Sequence, residues 1–315
     1  MKTLGVKREI RAAFTIVELL TVMSIIVILI GILVPSINTV KKHARNVEQK
    51  AQFHSIDVAM EMFNAAYEGY PPSSYDVVSG KANGGAMKLC EAMVGQDLQG
   101  FHPESDFTVD VEDRNGDLCY KLRDSDPQLS DDNRRSRYDQ FLPLEQANAY
   151  RMSDIYDTAV GSFEKDSFVL CDVFAKAENK GGIGAKRIGL PILYFRADTS
   201  KSDHDLKTVG SATSDNIYDY TDNDELVQLG IPWSSQVTPD QEHPMSSKFP
   251  TLPKYSFSGH LATLSSSAAR FYIETMNEKV SMAKGQPYRS DSYILMSAGN
   301  DGLFGTADDI FNFGN

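Results

Sequence analysis

The sequence predicts an α+β protein in which a long N-terminal helix, with a transmembrane half and an amphipathic half, packs on an antiparallel sheet, a large loop-rich insertion filling the middle of the chain. Three observations carry this. Residues 14–34 form an apolar run of the roughly 20 residues that a bilayer-spanning helix needs. Apolar positions then recur at steps of three and four as far as residue 65, the period of a helix with one buried face. Segments 167–174, 190–197 and 291–298 are rich in aromatic and branched residues and bounded by Gly, Asp or Pro, as strands are.

The apolar run is interrupted only by Thr15, Glu18, Thr21, Ser24 and Gly31. Lys2, Lys7, Arg8 and Arg11 all precede it, which places the leader in the cytoplasm and everything after Val34 outside. A secretory signal peptide also starts basic and continues apolar, but its core is usually about 7–15 residues followed by a small-x-small cleavage site. Here the run is longer and ends Leu33-Val34-Pro35-Ser36. Glu18 is the anomaly: a carboxylate in a membrane helix costs roughly 2.5–3.5 kcal/mol near the centre and less toward an end. The expectation is a positive group brought to the same depth.

Beyond Pro35, where a missing donor predicts a kink or local melting, the helix continues. Val40, Ala44, Val47, Ala51, Val58, Met62 and Ala65 form one stripe, flanked by Phe53, Ile56 and Phe63, between polar residues such as Lys41, Arg45, Glu48 and Glu61. The helix ends near Tyr67, where Gly69 and Pro71-Pro72 stop it. At 1.5 Å per residue it is on the order of 80 Å long.

After it, residues 86–95 and 262–277 read as helices, the three segments above as strands, and 199–224 and 234–253 as long polar surface loops. The chain of 315 residues carries a net charge of −12; four cations against Glu9 in the leader leave about −15 from Phe14 onward. Such acidity argues against nucleic acid and for solubility or cation binding. The six histidines fall in no metalloprotease pattern, there is no Gly-x-Ser-x-Gly elbow, and Gly181 to Lys186 lacks the spacing of a phosphate loop; the reading is a non-enzyme.

Three acidic segments are candidates for cation sites. At the C-terminus Asp301, Asp308 and Asp309, with Thr306 and main-chain carbonyls, offer hard oxygen ligands of the kind calcium prefers; the alternative is a turn at Asn300-Asp301-Gly302 and a solvated pair. Residues 110–117 lack the first and last ligands of a calcium loop and read as a turn. Residues 219–225 read as a solvated acidic loop. Of three cysteines, Cys90 and Cys119 are the candidate disulfide because both lie in the same loop-rich region, and Cys171, in an apolar strand pattern, reads as a core residue.

Two ends of the chain resemble a known family. Ala13 followed by Phe14-Thr15-Ile16-Val17-Glu18-Leu19-Leu20 resembles the prepilin cleavage and methylation signature of type IV pilins and type II secretion pseudopilins. The family usually has Gly before the cut; Ala13 keeps a small residue there. Glu68-Gly69-Tyr70-Pro71-Pro72 resembles a corner of the major pseudopilins, and the strand running into Gly299, Asp301 and Gly302 resembles their calcium-holding C-terminal loop. Together the matches cover about a quarter of the chain.

The resemblance implies a pilin-like fold with a leader peptide at 1–13, the long helix at 14–67, an extracytoplasmic globular domain at 68–315 with an acidic loop at 299–310, and an enlarged region at 73–289. It implies cleavage between Ala13 and Phe14 by a prepilin peptidase, methylation of the new amine, and pairing of the Phe14 ammonium with Glu18 of a neighbouring subunit. The partners implied are that peptidase, copies of the chain and other pseudopilins, an inner-membrane assembly platform and membrane lipid, with the protein single-pass in a bacterial inner membrane and its C-terminal domain periplasmic. The rival expectation is a membrane-tethered periplasmic or surface binding module that forms no filament.

Overall fold

The computed structural model describes residues 15–120, 133–156, 162–175, 177–179, 186–201, 203–204, 216–230, 243–245, 267–277, 279–280 and 286–314. Contacts divide the chain into two units, Met1–Arg45 and Asn46–Asn315. One helix, α1 (Ile16–Tyr67), contributes to both.

In the first unit every described residue is exposed. The helix is long and apolar enough to cross a membrane. It does not melt at Pro35, which lies inside it. The proline withholds one hydrogen bond from the turn before it, and two hydroxyls return bonds to the neighbouring carbonyls: Ser36 Oγ donates to Ile32 O at 2.9 Å and Thr39 Oγ1 to Pro35 O at 3.2 Å.

In the second unit α1 buries Gln49, Gln52, Phe53, Ile56, Ala59, Met60 and Phe63. This corrects the expected face. The flanking stripe of Phe53, Ile56 and Phe63 is the buried one, whereas Val47, Val58 and Met62 remain at least half exposed. Large side chains explain the choice, since each fully buried Phe, Ile or Met contributes about 1.5–3 kcal/mol. Phe63 also meets Tyr67, Phe101, Phe107 and Phe141 ring to ring.

The remaining elements are short. β1 (Asp76–Val78) and β2 (Lys81–Asn83) form a hairpin before α2 (Gly85–Val94); α3 (Leu144–Ala147), β3 (Ala149–Arg151) and α4 (Met152–Tyr156) precede β4 (Phe168–Leu170). β5 (Ala177–Asn179), β6 (Lys186–Ile188) and β7 (Leu193–Arg196) follow, then a 3-10 turn (Tyr220–Asn223), α5 (Asp224–Val227), α6 (Ser267–Thr275), β8 (Tyr293–Ser297) and β9 (Ile310–Phe311). Among the described residues three two-stranded pairs and one three-stranded sheet, ordered β7-β8-β9, are all antiparallel. The helix expected at 86–95 is present one residue earlier and at full length, the helix expected at 262–277 and all three expected strands are present as shorter elements, and 262–266 lies outside the described residues.

The three-stranded sheet organises the core because alternate residues on a strand face opposite sides. Leu193, Phe195, Ile294 and Met296 join a cluster with Phe271 and Tyr272 of α6. Tyr194, Tyr293 and Leu295 join the other cluster, with Phe53, Ile56, Met60 and Phe63 of α1 and Leu89 and Met93 of α2. The helix therefore packs on the antiparallel sheet, and β8 is buried along its whole length. Asp57 fixes the docking: it accepts from Tyr293 Oη at 2.6 Å and Asn312 Nδ2 at 3.0 Å, with Arg289 Nη1 at 3.3 Å.

One segment expected to be a solvated acidic loop, 219–225, is exposed at Asp219 and Thr221 and interior in its middle. Asp222 and Asn223 are buried, because Asn223 Oδ1 accepts the N–H of Ala86 at 2.9 Å while its Nδ2 donates to Tyr194 O at 2.7 Å. This side chain ties the start of α2 to β7. Gly85 lies so close that a Cβ there would sit 2.2 Å from Tyr194 O. The second expected surface loop also contributes to the interior, through buried His243 and Met245.

Candidate functional site

Three places inherit functional expectations from the sequence: the start of α1, the C-terminal acidic loop and the cysteines. Ala13 and Phe14 lie outside the described residues. Glu18 falls in the first turn of α1, and its carboxylate is engaged within its own chain. Glu18 Oε2 accepts from the Thr15 N–H at 2.9 Å and from Thr15 Oγ1 at 2.8 Å, while the Glu18 N–H donates back to Thr15 Oγ1 at 3.2 Å. Two donors of the helix start are thus satisfied reciprocally, which is a capping box. The signal is present in the sequence as Thr-x-x-Glu ahead of an apolar run. Oε1 has no hydrogen bond among the described residues.

The C-terminal loop follows β8 through Gly299, which adopts φ +64 and approaches the opposite side of the loop so closely that a Cβ would lie 2.0 Å from Asp308 O. Its carboxylates turn inward. Asp301 Oδ1 accepts from the Leu303 N–H at 2.8 Å and its Oδ2 from Thr306 Oγ1 at 2.7 Å. Asp308 Oδ2 accepts from the Asp301 N–H at 2.9 Å, and Asp309 Oδ2 from the N–H groups of Gly305 and Thr306 at 2.8 and 2.9 Å. Asp309 Oδ1 is buried with no hydrogen-bond partner among the described residues, and burial followed by the charge of Glu274 pushes its carboxyl well above the usual range.

Fitted against a calcium shell, this arrangement offers one orphaned buried oxygen. The acceptor bonds just named hold the loop to itself, and among the described residues no group of three His, Cys, Asp or Glu side chains is placed to hold a metal. The other acidic segment, 110–117, is a turn as expected: Asp113 Oδ1 accepts the N–H groups of Asn115 and Asp117 at 2.8 and 3.0 Å, and the Gly116 N–H reaches Asp113 O at 3.0 Å.

The expected Cys90–Cys119 disulfide is not formed. All three thiols are free and buried. Cys90 lies on α2 in the cluster that α1 packs against, whereas Cys119 belongs to a small separate cluster with Val111 and Tyr120. Cys171 is a core residue, as its strand pattern indicated. Burial pushes all three thiols up, Cys119 to about 11.

Two buried carboxyls were not anticipated. Glu91 on α2 and Asp222 are each pushed up to about 7 by burial. Their hydroxyl partners are Ser105 for Glu91 and Ser73 for Asp222.

Comparison with protein-family models, with curated proteins and with solved structures finds no match.

Proposed function

We propose that this chain is a structural subunit of a type II secretion pseudopilus or a type IV pilus-like filament, non-enzymatic, with a pilin-like fold and an enlarged globular domain. In this reading prepilin peptidase cuts between Ala13 and Phe14. The processed helix sits in a bacterial inner membrane with the domain in the periplasm, and the assembly platform stacks copies head to tail, an arrangement that extends without closing.

The observation that carries the reading is the apolar stripe left uncovered on α1. Val40, Val47, Val58 and Met62, spaced at helical steps, are all about half exposed or more. The chain has spent its largest apolar side chains on its own core and keeps a second face for another helix. Glu18 supports the same reading through Oε1, which is left to accept a neighbour's ammonium while Oε2 holds the cap. Calcium in the 299–310 loop belongs to the proposal only through Asp309 Oδ1 and the resemblance. A chelator should then lower the thermal midpoint, and an unchanged midpoint in calcium and in chelator removes calcium from the proposal.

The deciding experiment is the intact mass and N-terminal peptide of the protein from membranes of its host. A chain starting at Phe14 with a methylated amine is the expected result; one starting at Met1 rejects processing. The capping box favours one rival, a membrane-tethered binding module, because it satisfies Glu18 without any neighbour. Glu18→Ala separates the two: filament assembly is lost in the first reading, and the tethered module keeps its amount and location in the second.

A further inference from the structure

We propose that two adjoining clefts on either side of Arg196 form a binding site for an extended peptide carrying a carboxylate beside an apolar side chain. The first cleft, of about 410 Å³, is lined by Ser73, Lys201, Asn216 and Asp222 among others. The second, of about 350 Å³, is lined by aromatic and proline side chains that include Tyr67, Phe101 and Pro103. Arg196 lines both clefts, and the consecutive Pro71 and Pro72 line one each. The two hollows therefore follow a single extended stretch of chain.

Asn216 supplies the first element of recognition. It is 3% exposed, and among the described residues neither its Nδ2 nor its Oδ1 has a hydrogen-bond partner. Buried polar groups are nearly always paired. An amide in a cleft wall with donor and acceptor both spare is the complement of a peptide unit, which presents one C=O and one N–H.

Arg196 supplies the second. Its main chain is fixed twice, by the ladder to Tyr293 and by its N–H to Ser73 Oγ at 2.9 Å. Its side chain is exposed, and among the described residues no carboxylate pairs with it. Lys201 differs, with Asp198 at 3.3 Å. An unpaired guanidinium fork on a rigid strand suits a carboxylate.

The aromatic cleft supplies the third element. Phe63 and Phe101, each 2% exposed, lie at its base and suit a flat apolar side chain. An oligosaccharide would need a row of spare polar groups. Asp222 and Ser73 instead bond each other, and Asp219 accepts from the N–H and hydroxyl of Thr221. What remains matches one amide and one carboxylate.

The test uses the full chain in detergent micelles and a capped tripeptide, acetyl-benzoylphenylalanine-aspartate-glycine-amide, photo-crosslinked and mapped by mass spectrometry. Adducts are expected within 63–71 or 101–107 and are competed by the same peptide carrying plain phenylalanine. Labelling falls about tenfold when the peptide's aspartate becomes asparagine, and by a similar factor in Arg196→Gln and Asn216→Leu. Thermal midpoints are measured alongside: Asn216→Leu removes an unpaired amide, so its midpoint should hold or rise. Labelling that is scattered, or indifferent to both substitutions, overturns the proposal. So does competition by an oligogalacturonate but not by the peptide, which assigns the clefts to sugar, and so does a lowered midpoint in Asn216→Leu, which makes the amide structural.

Discussion

The two stretches of α1 belong to one continuous helix and behave differently. From Ile16 to Arg45 every residue is exposed, including Ile25, Ile26, Leu29 and Leu33. From Asn46 to Tyr67 the helix buries Phe53, Ile56 and Phe63 while accepting Gln49 and Gln52 into the same face. Those two glutamines are there because the chain beside them needs partners: Gln52 Nε2 donates to Cys171 O at 2.9 Å, and Gln49 Oε1 accepts from the Val173 N–H at 3.0 Å. An apolar face that meets lipid needs only hydrocarbon, whereas a face that meets folded chain must also satisfy backbone.

The sharpest way to break this comparison is Phe53→Ala. It should cost about 3–5 kcal/mol, read as a lowered denaturant midpoint of the globular domain. A loss under 1 kcal/mol would mean that the second stretch is as unpartnered as the first.

Next in size is a pH effect found only where the chain is packed. Glu91 and Asp222 have folded-state values near 7, above their ordinary range, because burial disfavours their charge. Between about pH 4 and 7 these two groups therefore hold more protons in the folded state than in the unfolded one. Their contribution to stability is greatest at the acid end of this window, falls as pH rises through it, and levels above it, while buried His204 and His243, lowered to about 3 and about 4, contribute in the opposite sense. Glu91→Gln or Asp222→Asn should flatten that slope and raise stability at pH 8 by on the order of 2 kcal/mol each. Denaturation curves of each variant beside the wild type at pH 5 and 8 decide it, and a variant whose gain over the wild type is no larger at pH 8 than at pH 5 contradicts the raised value of that carboxyl.

Smaller still is the cap. Glu18→Ala should cost about 1 kcal/mol of local helix stability, visible as faster amide exchange over residues 16–19 with an unchanged denaturant midpoint. The smallest effect belongs to Ile26→Ala, which should leave the domain's midpoint within about 0.5 kcal/mol; a larger shift would place residue 26 against folded chain.

The length of α1 was readable because periodicity and the Gly-Pro stop are local. Which face it buries was not: the small stripe and the large flanking residues both repeat at helical steps, and the choice depends on the volume offered by Phe101, Leu295 and their neighbours, far away in sequence. The strands were legible as apolar segments and overestimated in length. Their ends carry loop contacts instead, such as Asp172 Oδ1 accepting from the Leu190 N–H at 3.1 Å and Asp172 Oδ2 from Ser297 Oγ at 2.8 Å. Residues 219–225 misled because acidity there reads as solvation, whereas the packing is set by one residue, Asn223, whose partners lie 137 and 29 positions away. Of the candidate sites, Glu18 was visible at once and its Thr15 partner was visible but unread. The orphaned amide of Asn216 leaves no trace in sequence at all.

The three buried thiols have a consequence for where this chain can exist. None is paired, each is shielded from solvent, and none has the lowered pKa that makes a sulfur nucleophilic or quick to oxidise. The covalent structure of the protein is then the same under reducing and oxidising redox poise, and no bond has to be made or reshuffled as it passes from one compartment to another. Native protein should take up no maleimide on either side of a membrane, and it should do so only after denaturant opens the core.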